Sequence, residues 1–481
     1  MSNEMKKPND FLYPLLRFVI GCWLLSYAMS ACIPLHLPPS TPTPTGSTTP
    51  TATKISLPTL TPSPTSTIQL SEEQIYGISI RFWHPFSGEI ATTFDQLAKE
   101  FSLQNPWHLS VVGEAINGVD LLNEHMKGAL EQGELPHLVI APLYQALRWN
   151  QIRPVLVDWS IYSEDVMWGE SISDQQGYYP NLWQASVVDG YRWGIPARRV
   201  AQVFLYNASW ANELGFRAAP KTFAEFQQQA CAIRSEDNQG DPNSPKGYLF
   251  THDYPTILGW LLAFGAQITP NASEGYQFKT GEVQEALTFL RKLYEAGCTQ
   301  NVPDLDPIEA FSQRKALVVP INSAQLEEVE RAMKYAANPD RWTVLPFPTG
   351  NGEGLTVLYG TDYVLLRSSE REQLAAWLFV RWLLEKETQQ RLAQKTLGLP
   401  LRRDVGEDLQ NETRVLPAYR AALEYLPLGL NEPLWASWDK VRWAVGDASR
   451  QLVAWYFTLD QMPALVQLLD KTAADLSSQQ P

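Results

Sequence analysis

The sequence is rich in aromatic side chains and poor in catalytic motifs. It contains 17 Trp, whereas its six His are scattered, and none forms a metal-binding pair at helical spacing. H-E-x-x-H, G-x-S-x-G and Walker A motifs are all absent. Aromatic rings combined with charged and amide groups suit the binding of a polar ligand that also has apolar faces. These residue types favour a binding protein, although a facing pair of carboxylates in an enzyme would leave no sequence signature.

Strands and helices alternate along the chain and would position such groups. Ile78, Ile80 and Phe82 alternate as a strand, and an apolar helical stripe follows over 90–101. A strand over 109–112, a helix over 120–130 and a buried strand over 138–141 continue the pattern. This order predicts an α/β fold with mostly parallel sheets covered on both faces. Ligands of such sheets bind at the carboxyl ends of the strands.

One stretch, 190–207, joins a turn to a buried strand and carries a recognisable motif. It reads G-Y-R-W-G-I-P and ends in L-Y-N, and P-K-T-F-A-E-F follows at 220–226. F-W-H-P-F-S-G after the first strand, A-A-W-L-F-V-R-W-L at 375–383 and G-L-P-L-R at 398–402 complete the series. The array resembles the family 1 extracellular solute-binding proteins, the maltose-binding-like group, over about residues 76–476 in the same order.

The resemblance implies a two-lobe periplasmic-binding-protein fold, with hinge crossovers and a ligand cleft between the lobes. The N-terminal lobe is expected over 76–199 plus 348–402, and the C-terminal lobe over 200–347 plus 403–476. Crossovers are expected at 190–207, 342–348 and 398–402. Such a protein closes on a sugar or oligosaccharide and delivers it to the permease subunits of an ABC transporter. The alternative is a cell-surface enzyme that acts on carbohydrate with carboxylates in the same cleft.

The resemblance also places candidate ligand-binding residues at strand ends and crossovers. They are Trp83, His84, Glu114, Tyr144, Arg198, Asp362 and Trp438. Trp438 stands in W-D-K-V-R-W-A-V, where the family has a stacking aromatic residue. Replacing Trp438 by Ala is therefore expected to weaken ligand binding by about 1–3 kcal/mol and to leave the melting temperature without ligand little changed.

The N-terminus has the features of a lipoprotein signal peptide over 1–31. Basic residues precede a short apolar run that ends in Met29-Ser30-Ala31-Cys32, which resembles a lipobox with Cys32 as the lipidated residue. An uncleaved membrane anchor is the alternative. Residues 32–75 follow as a tether rich in Pro, Thr and Ser, with too few apolar residues to form a core. The chain is therefore expected outside the cytoplasm, held to the membrane through its N-terminal lipid.

Charge and sulfur content limit the partners further. The net charge of −14 argues against nucleic acid and favours a monomer kept apart by self-repulsion. We expect no cofactor and no metal, because the acidic stretches 237–241 and 304–306 lack the full series of calcium ligands and read as turns. Outside the signal and Cys32, only Cys231 and Cys298 remain. They are expected to form a disulfide, and two buried free thiols are the alternative.

Overall fold

A mixed sheet runs through the protein. The computed structural model describes residues 66–233, 244–269, 275–300 and 305–479. In this part of the chain the strands are β1 (Ser79–His84), β2 (Ser110–Ala115), β3 (Leu138–Ala141), β4 (Val187–Val188), β5 (Tyr191–Arg192), β6 (Ile195–Asn207), β7 (Lys246–Leu249), β8 (Thr299–Gln300), β9 (Ala316–Asn322), β10 (Trp342–Leu345), β11 (Thr356–Leu365) and β12 (Gly429–Asn431).

The order of the strands separates two parallel groups by a central antiparallel pair. The sheet runs β2-β1-β3-β11-β6-β9-β7-β8, with β10 beside β6 and β12 beside β11. At one end β1 pairs in parallel with both β2 and β3, and at the other end β7 pairs in parallel with both β9 and β8. β6 and β11 are antiparallel to each other in the centre. The hairpin of β4 and β5 forms a small sheet of its own.

The two central strands carry the chain between the halves of this sheet. β6 begins beside β11 at Ile195, and further along it pairs with β9, Tyr206 opposite Val318. The return passage lies in β11, whose last residues pair with β3. The crossover expected at 342–348 is thus misplaced: Trp342–Leu345 form β10, which pairs with the far end of β6. A four-residue apolar strand has the same sequence pattern in a crossover as within one half of the sheet. The sequence therefore does not distinguish these two positions.

Helices cover both faces of the sheet. They are α1 (Glu72–Ile75), α2 (Gly88–Gln104), α3 (Val119–Gln132), α4 (Leu143–Ile152), α5 (Ser160–Ser163), α6 (Ile172–Gln176), α7 (Pro180–Trp183), α8 (Ala208–Glu213), α9 (Phe223–Ala230), α10 (Tyr254–Ala263), α11 (Gly281–Glu295), α12 (Pro307–Ser312), α13 (Leu326–Tyr335), α14 (Glu370–Leu383), α15 (Lys386–Thr396), α16 (Arg403–Asn411), α17 (Pro417–Glu424), α18 (Trp438–Leu452) and α19 (Met462–Ser478). Helices on both faces of a sheet are typical of α/β proteins.

Local sequence signals account for several helix ends. Thr222 caps α9 in a capping box with Glu225, which satisfies two backbone N–H groups at the first turn. Apolar residues at helical spacing over 370–394 predict a single helix, yet the structure divides this stretch into α14 and α15 at Leu384. The Gln389 amide donates a 3.0 Å hydrogen bond to the Leu383 carbonyl and accepts one of 3.1 Å from the Leu401 backbone N–H. Contacts between distant segments therefore accompany a break that the apolar periodicity does not reveal.

Large apolar side chains fill the space between sheet and helices. Trp159 and Trp377 pack with ring centroids 5.9 Å apart in one cluster. In the other, Phe204 lies 4.5 Å from the ring of Phe347. Gly259 makes this second cluster possible, because a Cβ atom there would lie 2.3 Å from the Phe347 ring. Replacing this glycine would force the core to repack.

Residues 66–75, which the sequence assigned to the tether, pack onto the folded body. Ile68 and Ile75 are buried in the cluster that contains Trp159. The Asp165 carboxylate accepts hydrogen bonds from the Ser66 hydroxyl at 2.8 Å and from the Thr67 backbone N–H at 2.9 Å. The folded part of the chain thus begins before the expected boundary at residue 76. The expected signal peptide, Cys32 and the tether up to residue 65 lie outside the described residues.

The central pair of strands contains a break in register. The pairing of β6 with β11 shifts between Thr361 and Asp362. Gly360 directly precedes the shift with φ +141°, and a Cβ atom there would lie 2.2 Å from the Arg198 carbonyl oxygen. Only glycine fits this combination of backbone angle and contact. Leu399, in the expected third crossover, donates a 2.7 Å backbone hydrogen bond to Arg199, so three passages of the chain meet here.

Candidate functional site

The carboxyl ends of the parallel strands meet where the two halves of the sheet face each other. Because β1, β2 and β3 are parallel, the residues that end or follow them, such as Trp83, Glu114 and Tyr144, lie at one edge. In the other half β7 and β9 are parallel, and their ends lead to Tyr254 and Asn322. This edge, together with α18, is the candidate site.

Tyr144 reaches from the first half of the structure into the second. It lies in the first turn of α4, is 3% exposed and packs in the cluster of Phe204 and Trp260. Its hydroxyl accepts a hydrogen bond from Nη1 of Arg442 on α18, and the guanidinium carbon lies 4.8 Å from the centre of the tyrosine ring. Burial raises the pKa of Tyr144 well above its usual range, and Glu432 adds to the rise. The phenol is therefore neutral, and its hydroxyl can both donate and accept hydrogen bonds.

Trp438 is the centre of an aromatic cluster with one carboxylate. Its indole N–H donates a 2.9 Å hydrogen bond to Oε2 of Glu432, and the Tyr254 hydroxyl donates one of 3.1 Å to the same oxygen. The Trp438 ring lies 5.9 Å from that of Tyr254, edge to face, and 6.0 Å from that of Tyr276, stacked. Burial raises the pKa of Glu432, while the Trp438 and Tyr254 donors and the nearby Arg199 and Arg442 oppose the rise.

Asp362 and Arg198 occupy different places from those expected for ligand contacts. Asp362 is fully buried and pairs with Arg199, whose Nη2 lies 2.6 and 2.8 Å from its two oxygens. Ser186 also donates to Asp362. Arg198 points to the third crossover and donates a 2.9 Å hydrogen bond to the Thr396 carbonyl; burial lowers its pKa. Asp362 thus connects β11 to β6, and Arg198 connects β6 to the segment before the third crossover. Arg198 and Arg199 have different partners because neighbouring residues of a strand project to opposite faces.

The remaining candidates lie on β1 and β2, where Trp83 and Glu114 are partners in the strand register. Trp83 is half-buried and lies edge to face with His125, centroids 6.3 Å apart. His84 has no exposed surface and lies among aromatic rings, with Nε2 3.5 Å from Asp95 Oδ1. Burial lowers the pKa of His84, and Asp95 partly offsets this. Glu114 is exposed on β2. His84 is thus enclosed by protein in this structure, as Trp438 also is.

Two of the seven predicted residues, Tyr144 and Trp438, lie in one polar and aromatic cluster, and residues that were not predicted also belong to it. Arg442, Glu432 and Tyr254 complete the cluster. Arg442 could have been found from the sequence, since it lies in the W-D-K-V-R segment, one helical turn after Trp438. Glu432 and Tyr254 lie near chain turns and carry no motif, so only the fold brings them to this position.

The sulfur and acidic groups of the described residues form one disulfide and no metal site. Cys231 and Cys298 are joined by a disulfide, with their Cα atoms 4.4 Å apart. Among the described residues, no group of three or more His, Cys, Asp or Glu side chains could hold a metal ion. Residues 237–241 and Asp304 lie outside the described part, whereas Asp306 caps α12 through a 2.8 Å hydrogen bond from the Glu309 backbone.

Among the helices of the described ranges, none combines the length and the apolar character that crossing a bilayer requires.

Fold and site together define a two-lobe α/β binding protein whose lobes meet at the carboxyl ends of their strands. The model of the bacterial extracellular solute-binding proteins matches residues 96–416, and the chain belongs to this family. A candidate binding protein of Brucella abortus is 24% identical over 260 residues, which are 49% of this chain and 59% of that protein. The chain thus spans about three fifths of the length of the curated relatives it matches.

Solved structures of two sugar-binding proteins have the same two-lobe fold. The sugar-binding protein MalE from Xanthomonas citri superposes with a TM-score of 0.71 at 21% identity, over 83% of this chain and 97% of that one. The cyclic α-maltosyl-1,6-maltose binding protein from Arthrobacter globiformis gives a TM-score of 0.69 at 17% identity, over 84% and 100%. The predicted fold class and family resemblance are confirmed.

Proposed function

We propose that this protein captures a sugar or an oligosaccharide between its two lobes and presents it to the permease subunits of an ABC transporter. The observation that carries the proposal is the cluster of Trp438, Tyr254 and Tyr144 with Glu432 and Arg442 where the lobes meet. Aromatic faces pack on the C–H faces of a sugar ring, and the carboxylate and guanidinium bind its hydroxyl groups. The sugar ligands of the structural neighbours support the same class of ligand.

The lobes would follow the predicted division except at the second connection, which lies in β11 rather than at 342–348. The other two connections are β6 and the segment at Leu399. Rigid lobes joined by a few strands open and close about those strands. A ligand favours closure only to the extent that it binds the closed form more tightly than the open form. Trp83 and Glu114 at the same edge are proposed as further ligand contacts that closure brings into use.

The lipoprotein proposal rests on the N-terminal sequence and places the protein outside the cytoplasm. Cys32 would carry the lipid, and the Pro-rich tether would connect it to the body. Mass spectrometry of the mature N-terminus tests this, since a lipidated Cys32 as the first residue is expected. A free N-terminus at any other residue would contradict it.

A thermal-shift panel of monosaccharides, oligosaccharides, amino acids and polyols tests the ligand class. We expect a stabilising shift with a sugar or an oligosaccharide, because a ligand that binds only the folded state stabilises it by mass action. Stabilisation by amino acids alone would reject the proposal.

Tryptophan fluorescence during incubation with the stabilising sugar distinguishes binding from catalysis. A change in fluorescence with the sugar recovered intact is the outcome for a transport receptor. Conversion of the sugar to product would instead establish the carbohydrate-active enzyme as the function.

A further inference from the structure

Helix α4 belongs to one lobe by its packing but contacts the other directly. Leu143, Ala146 and Trp149 pack in the cluster of β3 and the end of β11. Tyr144, on the opposite side of the helix, packs in the cluster that contains Trp438. Arg148 lies one turn after Tyr144 and is on the same side. The helix therefore presents two polar side chains to α18 of the other lobe.

Asp439, in the first turn of α18, binds an arginine with each of its carboxylate oxygens. Oδ2 lies 2.8 Å from Nη1 of Arg148, which belongs to α4. Oδ1 lies 3.2 Å from Nη2 of Arg442, which belongs to its own helix. The Asp439 side chain is 12% exposed and that of Arg148 is 21% exposed. Partial burial reduces screening by water and salt, so this pair is stronger than an ion pair on the open surface.

The two arginines make Asp439 the link between two contacts across the lobes. One contact is its own ion pair with Arg148, and the other is the hydrogen bond from Arg442 to Tyr144, since Asp439 fixes the orientation of Arg442. Asp439 also lies in the first turn of α18, where a negatively charged side chain interacts favourably with the helix dipole. Both contacts connect α4 of one lobe to α18 of the other, and we call the arrangement in which these helices touch the closed one. Because neither contact includes a ligand, both stabilise the closed arrangement whether or not a ligand is bound.

We propose that Asp439 is the shared carboxylate of an interlobe latch, formed with Arg148 and with Arg442 on Tyr144, that sets the equilibrium between open and closed lobes. The inference rests on the proposed function in assuming that the ligand is held in the closed form. Loss of the latch lowers the closed fraction, and the apparent affinity for ligand falls in proportion to that fraction. Asp439 is thus a positioning residue for the binding site.

The separation of the lobes can be measured without ligand. Donor and acceptor dyes are attached through Leu103→Cys on α2 and Tyr335→Cys on α13, two side chains that are 87% and 96% exposed. Single-molecule energy transfer is then compared for the parent, Asp439→Asn and Arg148→Gln. We expect the population with widely separated dyes to grow about 5- to 20-fold in each variant, a typical size for a coupled equilibrium. Sugar release in stopped flow is expected to accelerate by a similar factor.

Asp447→Asn is the matched control, because Asp447 lies on the same helix and pairs with the exposed Arg450 three residues away. It should change neither the dye separation nor sugar release. Unaltered dye separation in both Asp439→Asn and Arg148→Gln, or an equal change in the control, would overturn the latch. Should Asp439→Asn unfold, as judged by circular dichroism, Arg148→Gln decides alone, since this residue is more exposed. Failure of every sugar to bind, with the separation still widened in the variants, would reject the proposed function and retain the latch.

Discussion

Arg199 and Asp362 form a fully buried ion pair between the two strands that connect the lobes. Nη2 of Arg199 on β6 lies 2.6 and 2.8 Å from the carboxylate oxygens of Asp362 on β11. The pair spans the point where the register of the two strands shifts, directly after Gly360. It therefore fixes the geometry from which the lobes would move.

Asp362→Asn is expected to lower the free energy of unfolding by about 3–5 kcal/mol, because the Arg199 guanidinium would stay buried without its counter-charge. Urea unfolding followed by circular dichroism measures the change. Asp475→Asn serves as the control, since its ion pair with Lys471 is exposed, and it should cost less than about 1 kcal/mol. Equal effects of the two substitutions would show that burial of the pair contributes nothing.

Trp438→Ala is now expected to affect both ligand binding and stability. The family motif around Trp438 predicts that the melting temperature without ligand is little changed in Trp438→Ala. In the structure, however, Trp438 is fully buried against Tyr276 and Tyr254. Removing a buried tryptophan costs about 3–5 kcal/mol. Trp438→Phe separates the roles, because it keeps an aromatic ring and removes the N–H bound to Glu432. Calorimetry should show weaker sugar binding for Trp438→Phe, and unchanged affinity would place Glu432 and Trp438 outside the ligand site.

Asp165 should contribute stability that depends on pH. Burial opposes ionisation, but hydrogen bonds from the backbone of Trp168 and Met167 and from Ser66 lower its pKa from 3.8 to about 2. A lowered pKa stabilises the fold when the pH is above the unfolded value, and this contribution is lost as the pH falls from about 4 to about 2. Asp165→Asn should therefore cost about 1–2 kcal/mol at pH 6 and progressively less toward pH 2. Urea titrations at several pH values check this, and a cost independent of pH would contradict it.

The disulfide between Cys231 and Cys298 closes a loop with a sequence separation of 67 residues. By the chain-entropy argument, its loss in a Cys231→Ser, Cys298→Ser double variant should destabilise the fold by about 4 kcal/mol. Thiol counting on the denatured, unreduced protein gives the direct test. We expect no free thiol from these two residues, and two free thiols per chain would rule the bridge out.

Local sequence patterns predict the elements and their class. Apolar periodicity predicts a helix over 120–130 and a strand over 138–141, where the structure has α3 (Val119–Gln132) and β3 (Leu138–Ala141). These features depend on residues close together in the chain, so local patterns suffice for them. The apolar spacing of Val445, Ala448 and Leu452 continues to Trp455, whereas α18 ends at Leu452 and Trp455 is 89% exposed.

Contacts between side chains that are distant in the sequence depend on the fold as a whole. Asp362 pairs with Arg199 rather than lining the site, and Trp438 meets Glu432 and Tyr254. Neighbouring residues of a strand project to opposite faces. A shift of one residue along the strand therefore decides whether a side chain faces the ligand site or forms a buried ion pair. Partners that lie hundreds of residues apart, such as Arg148 and Asp439, are brought together by the order of the strands, which no local pattern encodes.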